Sequence, residues 1–408
     1  MRRQANSPHA GGARAAATRS ALMPVAAVVA AALVNQAANG ALQVHLPLRM
    51  HAAGVAMPWI GAVASAFAAG FLLGCFAAAH LLRRLGQVRT FALGASLQAG
   101  LTLALLAGDD PLLWTILRFL TGAAGACVAV VYESWINART PAALRGRVFG
   151  LYNVLNRLSQ LGGQGAAAAL ALAGATVPVL FFGALFALSL LPLRPVRLHA
   201  PAGSAGLRAA GWPPLHRLAR VAPVGLWAAC HAGLVGSLLV AMLPVYGRAA
   251  GLDAAAAAWM AVAPQAGCLL TQWALGSVAD RHGALRAIGL AAAGACVAAM
   301  AMQAWPPGPA APLALALLAG VLGASVLPGY ALSLTHAAQR LSGSGLDAVD
   351  LSAGLLASWS IGSIVGPVAV AWAMQRWGAI ALPAVVLGSS AITGLAACIA
   401  ARARPPRP

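Results

Sequence analysis

The sequence predicts an all-α polytopic membrane protein with twelve spans in two six-helix halves, and three observations carry that class. The chain is 61% hydrophobic and 8% charged, with a mean hydropathy of +0.82. A soluble domain of this length would carry roughly a quarter charged residues. Apolar runs of about 18–26 residues recur twelve times, each long enough to cross a bilayer. The arginines are the third observation. All 26 basic residues are Arg, and with the N-terminus placed inside, 21 fall in segments on the cytoplasmic side. Three (Arg49, Arg248, Arg376) fall outside and two (Arg118, Arg157) lie within spans. This asymmetry is the positive-inside rule, and it sets the topology with both termini cytoplasmic.

The elements follow in order. Residues 1–21 are polar and basic and read as a disordered cytoplasmic tail. A signal peptide is set aside, because the later loops obey the charge rule only if the first helix is retained. The spans of the N-terminal half (22–193) lie near 22–46, 58–81, 88–107, 112–134, 147–173 and 176–193. Residues 194–221, rich in Pro, Gly and Arg, form the central cytoplasmic loop. The C-terminal half (222–401) places its spans near 222–246, 255–279, 285–304, 312–337, 349–373 and 379–401, and 402–408 form a short cytoplasmic tail. Trp59, Trp114, Trp259, Trp305 and Trp377 stand at outer ends, as interfacial anchors do. The 45 glycines suit close helix approach in lipid.

The halves repeat. Arg83-Arg84-Leu85-Gly86 and then Arg89 follow the second span. Asp280-Arg281-His282-Gly283 and then Arg286 follow the eighth. Both the glycine and the final arginine recur at an offset of 197 residues. A parallel repeat of six helices joined by a cytoplasmic loop is one way that large transporters are built.

Composition also excludes. The net charge of +19 is spread over alternate loops, whereas a nucleic-acid protein gathers its charge on one soluble face. The six cysteines (Cys75, Cys127, Cys230, Cys268, Cys296, Cys398) all fall in apolar spans without a C-x-x-C pair, so they read as small buried residues. No metal cluster, nucleophile–base pair or nucleotide loop is visible, which argues against an enzyme, a cofactor and an ATP-driven pump.

Chemistry concentrates between residues 112 and 164. Polar groups in lipid are costly unless they face a water-filled cavity or partners inside a bundle. Asn153, Asn156, Arg157, Gln160 and Gln164 fall within an arc of about 100° of one helix. Arg157 lies about ten residues into its span, near the midplane, where an arginine needs an anion, an acid or water. No acid sits at that depth, so an anionic or carboxylate-bearing substrate is the expected partner, against a purely structural network as the alternative. Arg118 is about six residues below the outer end of span four, roughly 9 Å deep. It reads either as a substrate or proton-relay contact or as a snorkelling residue. Asn35, Gln36, Asn39 and Gln43 share one face of span one. Their amides either bind a polar solute or bond to neighbouring helices. Glu133 and His231 are the titratable candidates for proton coupling. Glu133 ends a helix where an acid opposes the dipole, so a structural salt bridge to Arg139, Arg145 or Arg147 is the competing reading. Gln265, Gln272, Tyr330, Ser333, His336, Ser358, Ser360 and Ser363 are scattered and read as interhelical bonding groups.

Particular motifs carry a resemblance. Gly276-x-x-x-Asp280-Arg281-x-Gly283 resembles the loop signature of the major facilitator superfamily. Arg83-Arg84-Leu85-Gly86 is a degenerate copy, with Arg83 where that family usually has Asp. Arg118-x-x-x-Gly122 looks like the family's second motif. Glu133-Ser134-Trp135-x-Asn137 followed by Arg145-Gly146-Arg147 resembles the YcaD-like bacterial branch. The resemblance implies a monomeric alternating-access carrier in the bacterial inner membrane, with a small-molecule substrate and often proton coupling. The drug–proton antiporters of that family carry a Gly-Pro motif late in span five. Here Leu161-Gly162-Gly163-Gln164-Gly165 lacks the proline, and Gly362-Ser363-Ile364-Val365-Gly366-Pro367 has the pattern on span eleven instead. The expectation is a secondary carrier of a small polar or anionic solute. A drug or metabolite efflux antiporter and a non-transporting sensor on the same fold are the alternatives. The resemblance also sets the inner end of span two beside span eleven, and by repeat symmetry span eight beside span five. Arg83 and Arg84 would then meet Asp347 and Asp350, and Asp280 would meet Arg145 and Arg147, as an inner gate.

Overall fold

The computed structural model describes residues 9–139, 142–193, 215–304, 312–340 and 348–403. Fifteen α-helices and no strand occur among them. The first six are α1 (His9–Ala52), α2 (Met57–Leu85), α3 (Gln87–Ala104), α4 (Pro111–Arg139), α5 (Ala142–Ala169) and α6 (Thr176–Leu188). After the short α7 (Leu215–Val221) come α8 (Pro223–Ala241), α9 (Leu243–Ala249), α10 (Ala254–His282), α11 (Ala284–Ala304) and α12 (Pro312–Val326). The last three are α13 (Gly329–Ala338), α14 (Ala348–Trp377) and α15 (Ala381–Arg402).

These make the twelve crossings expected. Ten meet length and hydropathy criteria for a span, and α3 and α5 make up the number as long helices diluted by polar residues. Two crossings are broken rather than continuous. Span seven is α8 plus α9, and span ten is α12 plus α13, each with a proline at the break (Pro244, Pro328). Proline removes an N–H and clashes with the preceding turn. The first helix starts at His9, not near residue 22. Much of the stretch expected to be an irregular tail is alanine-rich, and alanine is the strongest helix former.

Helices pack through small residues, because lipid tails leave little hydrophobic drive between spans. A Cβ on Gly70 would lie 1.9 Å from the Phe119 carbonyl oxygen, and one on Gly122 would lie 2.1 Å from that of Phe67. These two glycines lock α2 to α4. A Cβ on Gly267 would lie 2.0 Å from the Gly320 carbonyl oxygen, so Gly267 locks α10 to α12 in the same way. Gly70 and Gly267 are again 197 residues apart. The positive-φ glycines obey the same offset: Gly54 (72°) with Gly251 (90°), and Gly86 (75°) with Gly283 (93°). Only glycine adopts this conformation without strain, so the turns repeat along with the helices.

Helix α2 lies along α14, and α5 along α10, which are the contacts between halves that the repeat symmetry predicts. Their location decides the state of the molecule. One apolar core takes residues from both halves at the end expected to be outer, including Leu42, Leu46, Met50, Phe182, Leu238, Met242, Met260 and Val370. There Gly61 packs on Pro367 and Ala371, and the Met57 amide donates to Gln375 Oε1 at 3.2 Å. Toward the other end the cores separate. One belongs to the N-terminal half (Val28, Phe91, Tyr132, Trp135), and two belong to the C-terminal half (Leu285, Ile288, Leu332 in one and Leu218, Leu351, Leu355 in the other). The halves are joined at the expected outer end and parted at the expected inner end.

Trp59, Trp259 and Trp377 are exposed at the closed end, as anchors should be. Trp114 corrects its expectation. It is fully buried, its indole N–H donates to the Gly108 carbonyl at 2.8 Å, and Arg49 stacks on its ring at 4.8 Å. Arg49 also pairs with Asp109 at 2.8 Å, so a charged pair holds this tryptophan inward. Trp305 lies outside the described residues.

Candidate functional site

Helix α5 presents its polar residues in two directions. One side is pressed against α1. A Cβ on Gly163 would lie 1.9 Å from the Ala37 carbonyl oxygen, Gly40 abuts the Gln160 backbone, and the Ser159 hydroxyl donates to the Leu33 carbonyl. The other side faces α10 of the opposite half. Arg157 donates to Gln265 Oε1 at 3.3 Å and lies close enough to Cys268 to act on it electrostatically. Cys268 is the midpoint of the 29-residue α10, so Arg157 lies alongside the middle of that helix.

Asn153 is exposed four residues before Arg157 on the same face, and Asn156 and Gln160 are half-buried beside it. Asn156 Oδ1 is buried without a partner. Gln164, nearer the closed end, is almost fully buried with its Oε1 also unpartnered. On α10, Gln265, Cys268 and Gln272 follow at a helical spacing, and the Cys268 thiol approaches Gln272 Oε1 at 3.7 Å. Gln265 and Gln272 thus belong to the site. Sequence reasoning read both as interhelical bonding groups, which the Arg157–Gln265 bond makes of Gln265. It did not join them to the α5 face because each is one isolated amide in a long apolar run. Their i, i+7 spacing was the signal available.

The polar face of α1 is directed elsewhere. Asn35 donates to Gln98 Oε1 at 2.9 Å, Asn39 to Asn35 Oδ1 at 3.0 Å, and Gln98 to Asn39 Oδ1 at 3.4 Å. All three amides are buried. They tie α1 to α3 within one half, so of the two readings for this face interhelical bonding describes Asn35 and Asn39. Gln36 and Gln43 are half-buried.

Arg118 is also inside the N-terminal half. Its side chain is buried, its guanidinium carbon lies 4.5 Å over the Phe67 ring of α2, and Nη1 has no hydrogen-bond partner among the described residues. The aromatic face supplies an attraction that a snorkelling arginine would not need. His231 lies in the C-terminal half beside a small cavity lined by Ala228, Ser325 and Thr393 among others, with Nε2 at 3.4 Å from Ser390 Oγ. It does not face α5. Ser358 and Ser363 donate to the Leu226 and Gly233 carbonyls, the interhelical role expected of them.

Glu133 is exposed on α4. The ring of the adjacent Tyr132 packs on Tyr152 of α5 at 5.0 Å between centroids. The neighbours Tyr132 and Trp135 belong to the N-terminal half's own core, so Glu133 lies at the end where the cores are separate. The residues expected to form an inner gate lie at the ends of α2, α10 and α14. Arg83, Arg84 and Asp280 are exposed, and Asp350 is half-buried in the first turn of α14. Asp347 lies outside the described residues, and of Arg139, Arg145 and Arg147 only the helical backbone is described.

Comparison with known proteins agrees with this architecture. The sequence profile of the Major Facilitator Superfamily matches residues 27–356. An uncharacterised MFS-type transporter of Yersinia enterocolitica is 28% identical over 324 residues, covering 78% of this chain and 80% of the relative. The uncharacterised MFS-type transporter YcaD of Salmonella newport is 26% identical over 364 residues, covering 87% and 90%. Among solved structures, the nucleoside transporter NupG superposes with a TM-score of 0.77 at 12% identity, over 93% of this chain and 100% of that one. A bacterial homologue of the human lysosomal transporter Spinster, described as inward-facing and occupied, gives 0.73 at 15% identity over 93% and 96%. With two six-helix repeats, halves joined at one end, and a profile match across most of its length, this chain is a multi-pass membrane protein that belongs to the Major Facilitator Superfamily.

Proposed function

We propose that the protein is a secondary carrier in the bacterial inner membrane, working as a monomer with both termini cytoplasmic. It moves a small polar or anionic solute by alternating access. The observation that carries this reading is Arg157. It is a permanent cation at mid-depth, and its contact across the halves is the neutral amide of Gln265. A cation there is stable only with water or a counter-charge, and an anionic group on the solute provides one. Asn153, Asn156, Gln160, Gln265 and Gln272 surround it with groups that both donate and accept.

Proton coupling goes with this carrier, and Glu133 is the acid positioned for it, since His231 is enclosed within one half. The gate pairs of Arg83 and Arg84 with Asp350 and Asp347, and of Asp280 with Arg145 and Arg147, would form when the parted end closes. The test is uptake or efflux in sealed proteoliposomes, with and without an imposed pH gradient. Arg157→Ala should abolish movement of the solute while the protein stays monodisperse. Normal transport by that variant would refute the site, and indifference to the pH gradient would refute the coupling.

A further inference from the structure

The C-terminal half holds a cavity that the carrier site does not use. It is about 20 Å³ in volume and is bordered by α8, α11, α12, α13 and α15. Ile288 and Ala291 give it an apolar wall, and His231, Ser325 and Thr393 give it a polar one. His231 is buried, and its ring is engaged on one edge. Nε2 lies 3.4 Å from the Ser390 hydroxyl, while Nδ1 is buried without a hydrogen-bond partner among the described residues. A buried ring nitrogen left unbonded is costly. The Thr393 hydroxyl accepts from the Trp227 indole at 3.0 Å and donates to the Ser389 carbonyl at 2.8 Å, which leaves its oxygen one further lone pair.

The repeat shows what the other half has at this place. At the offset of 197 residues Asn35 corresponds to Ala232 and Gln98 to Ala295. Where two amides tie α1 to α3, α8 and α11 carry alanines, beside His231 and one turn from Ala291. We propose that the cavity binds one water molecule, held by His231 Nδ1 and the Ser325 and Thr393 hydroxyls. The volume has room for one water, and three polar groups fall within the 2–4 partners that an internal water takes. Water both donates and accepts, so it matches Nδ1 in either tautomer of a neutral ring. It joins α8, α12 and α15 as the amides join α1 and α3. Its place also matters for the break in span ten, because Gly329, the first residue of α13, lines the same cavity. Pro328 has no N–H, so the Ala324 carbonyl lacks its helical donor, and the Thr271 hydroxyl of α10 takes that carbonyl at 2.7 Å. The break is held by α10 and borders the water.

Thermal unfolding of the full-length protein in detergent tests this through the sign of a pair of changes. Ala291→Val adds carbon at the cavity wall. It should expel the water, strand Nδ1 and lower the unfolding temperature by a few degrees. In a His231→Leu background no ring nitrogen remains to be stranded, and Ala291→Val should there be neutral or raise the unfolding temperature. A rise or no change in the otherwise native protein means a dry cavity and overturns the proposal. An equal drop in both backgrounds means overpacking alone and overturns it as well. A structure at a resolution that shows ordered water decides the matter without any variant. Density within hydrogen-bond distance of His231 Nδ1 supports the site, and a clear map without it removes the site.

Discussion

At the scale of single residues, a polar side chain inside the bundle is stable only with a partner, and the partner decides what the side chain does. Arg157 was legible because a midplane arginine is costly in any membrane bundle. Gln98 and Gln265 were not, since an isolated amide shows its purpose only when another helix brings it a partner. Asn35 and Asn39 illustrate the consequence: a shared face suggested solute binding, while the fold uses it to hold α1 to α3. Deleting one member of that triad should leave the others buried and unsatisfied, at about 1–3 kcal/mol. Gln98→Ala is therefore expected to lower the unfolding temperature clearly in detergent. Gln36→Ala, on a half-buried neighbour outside the network, should change it little.

At the scale of elements, length and apolarity located the crossings, ten of which meet both criteria among the described residues, because the bilayer imposes both. The breaks at Pro244 and Pro328 were not anticipated. Proline inside a membrane helix is often tolerated, as Pro264 and Pro367 are here, so its presence does not announce an interruption. Adjacent glycines on α5 give a sharp test of the packing. A Cβ on Gly163 would strike the Ala37 carbonyl at 1.9 Å, whereas one on Gly162 meets nothing within 4 Å. Gly163→Ala must push α1 away and should cost about 1–3 kcal/mol. Gly162→Ala should be neutral or stabilising by up to about 1 kcal/mol, through helix propensity alone. Thermal unfolding of the two single variants, one residue apart, checks the pair.

At the scale of the whole molecule, the repeat was legible from one turn and proved to run through several turns and helix contacts. What the sequence could not contain is which end is closed, because both arrangements use the same residues. The gate hypothesis is tested at this scale. Each exposed charge pair is worth only about 0–1 kcal/mol, but two states separated by a few kcal/mol respond to such increments. Reversing Arg83 and Arg84 to Glu should favour the state described here, and reversing Asp347 and Asp350 to Arg as well should restore the balance. Cysteines introduced near Arg83 would report the change by faster thiol labelling, and cysteines near Gly61 by slower labelling. No shift on the first reversal, or no recovery on the second, would remove these charges from the gate.

The hydrogen bonds between helices are unevenly distributed, and that has a mechanical result. Bonds between helices of one half are many: Asn35 to Gln98, Ser159 to Leu33, Thr271 to Ala324, Trp227 to Thr393, Ser358 to Leu226. Among the described residues two cross from one half to the other, Arg157 to Gln265 and Met57 to Gln375. The rest of that boundary is apolar contact, which has no preferred direction and leaves no orphaned donor when it separates. Each half is therefore welded, and the boundary between them is a seam. A load applied to the molecule is expected to open the seam before it bends either half, with the two bundles tilting as solid pieces.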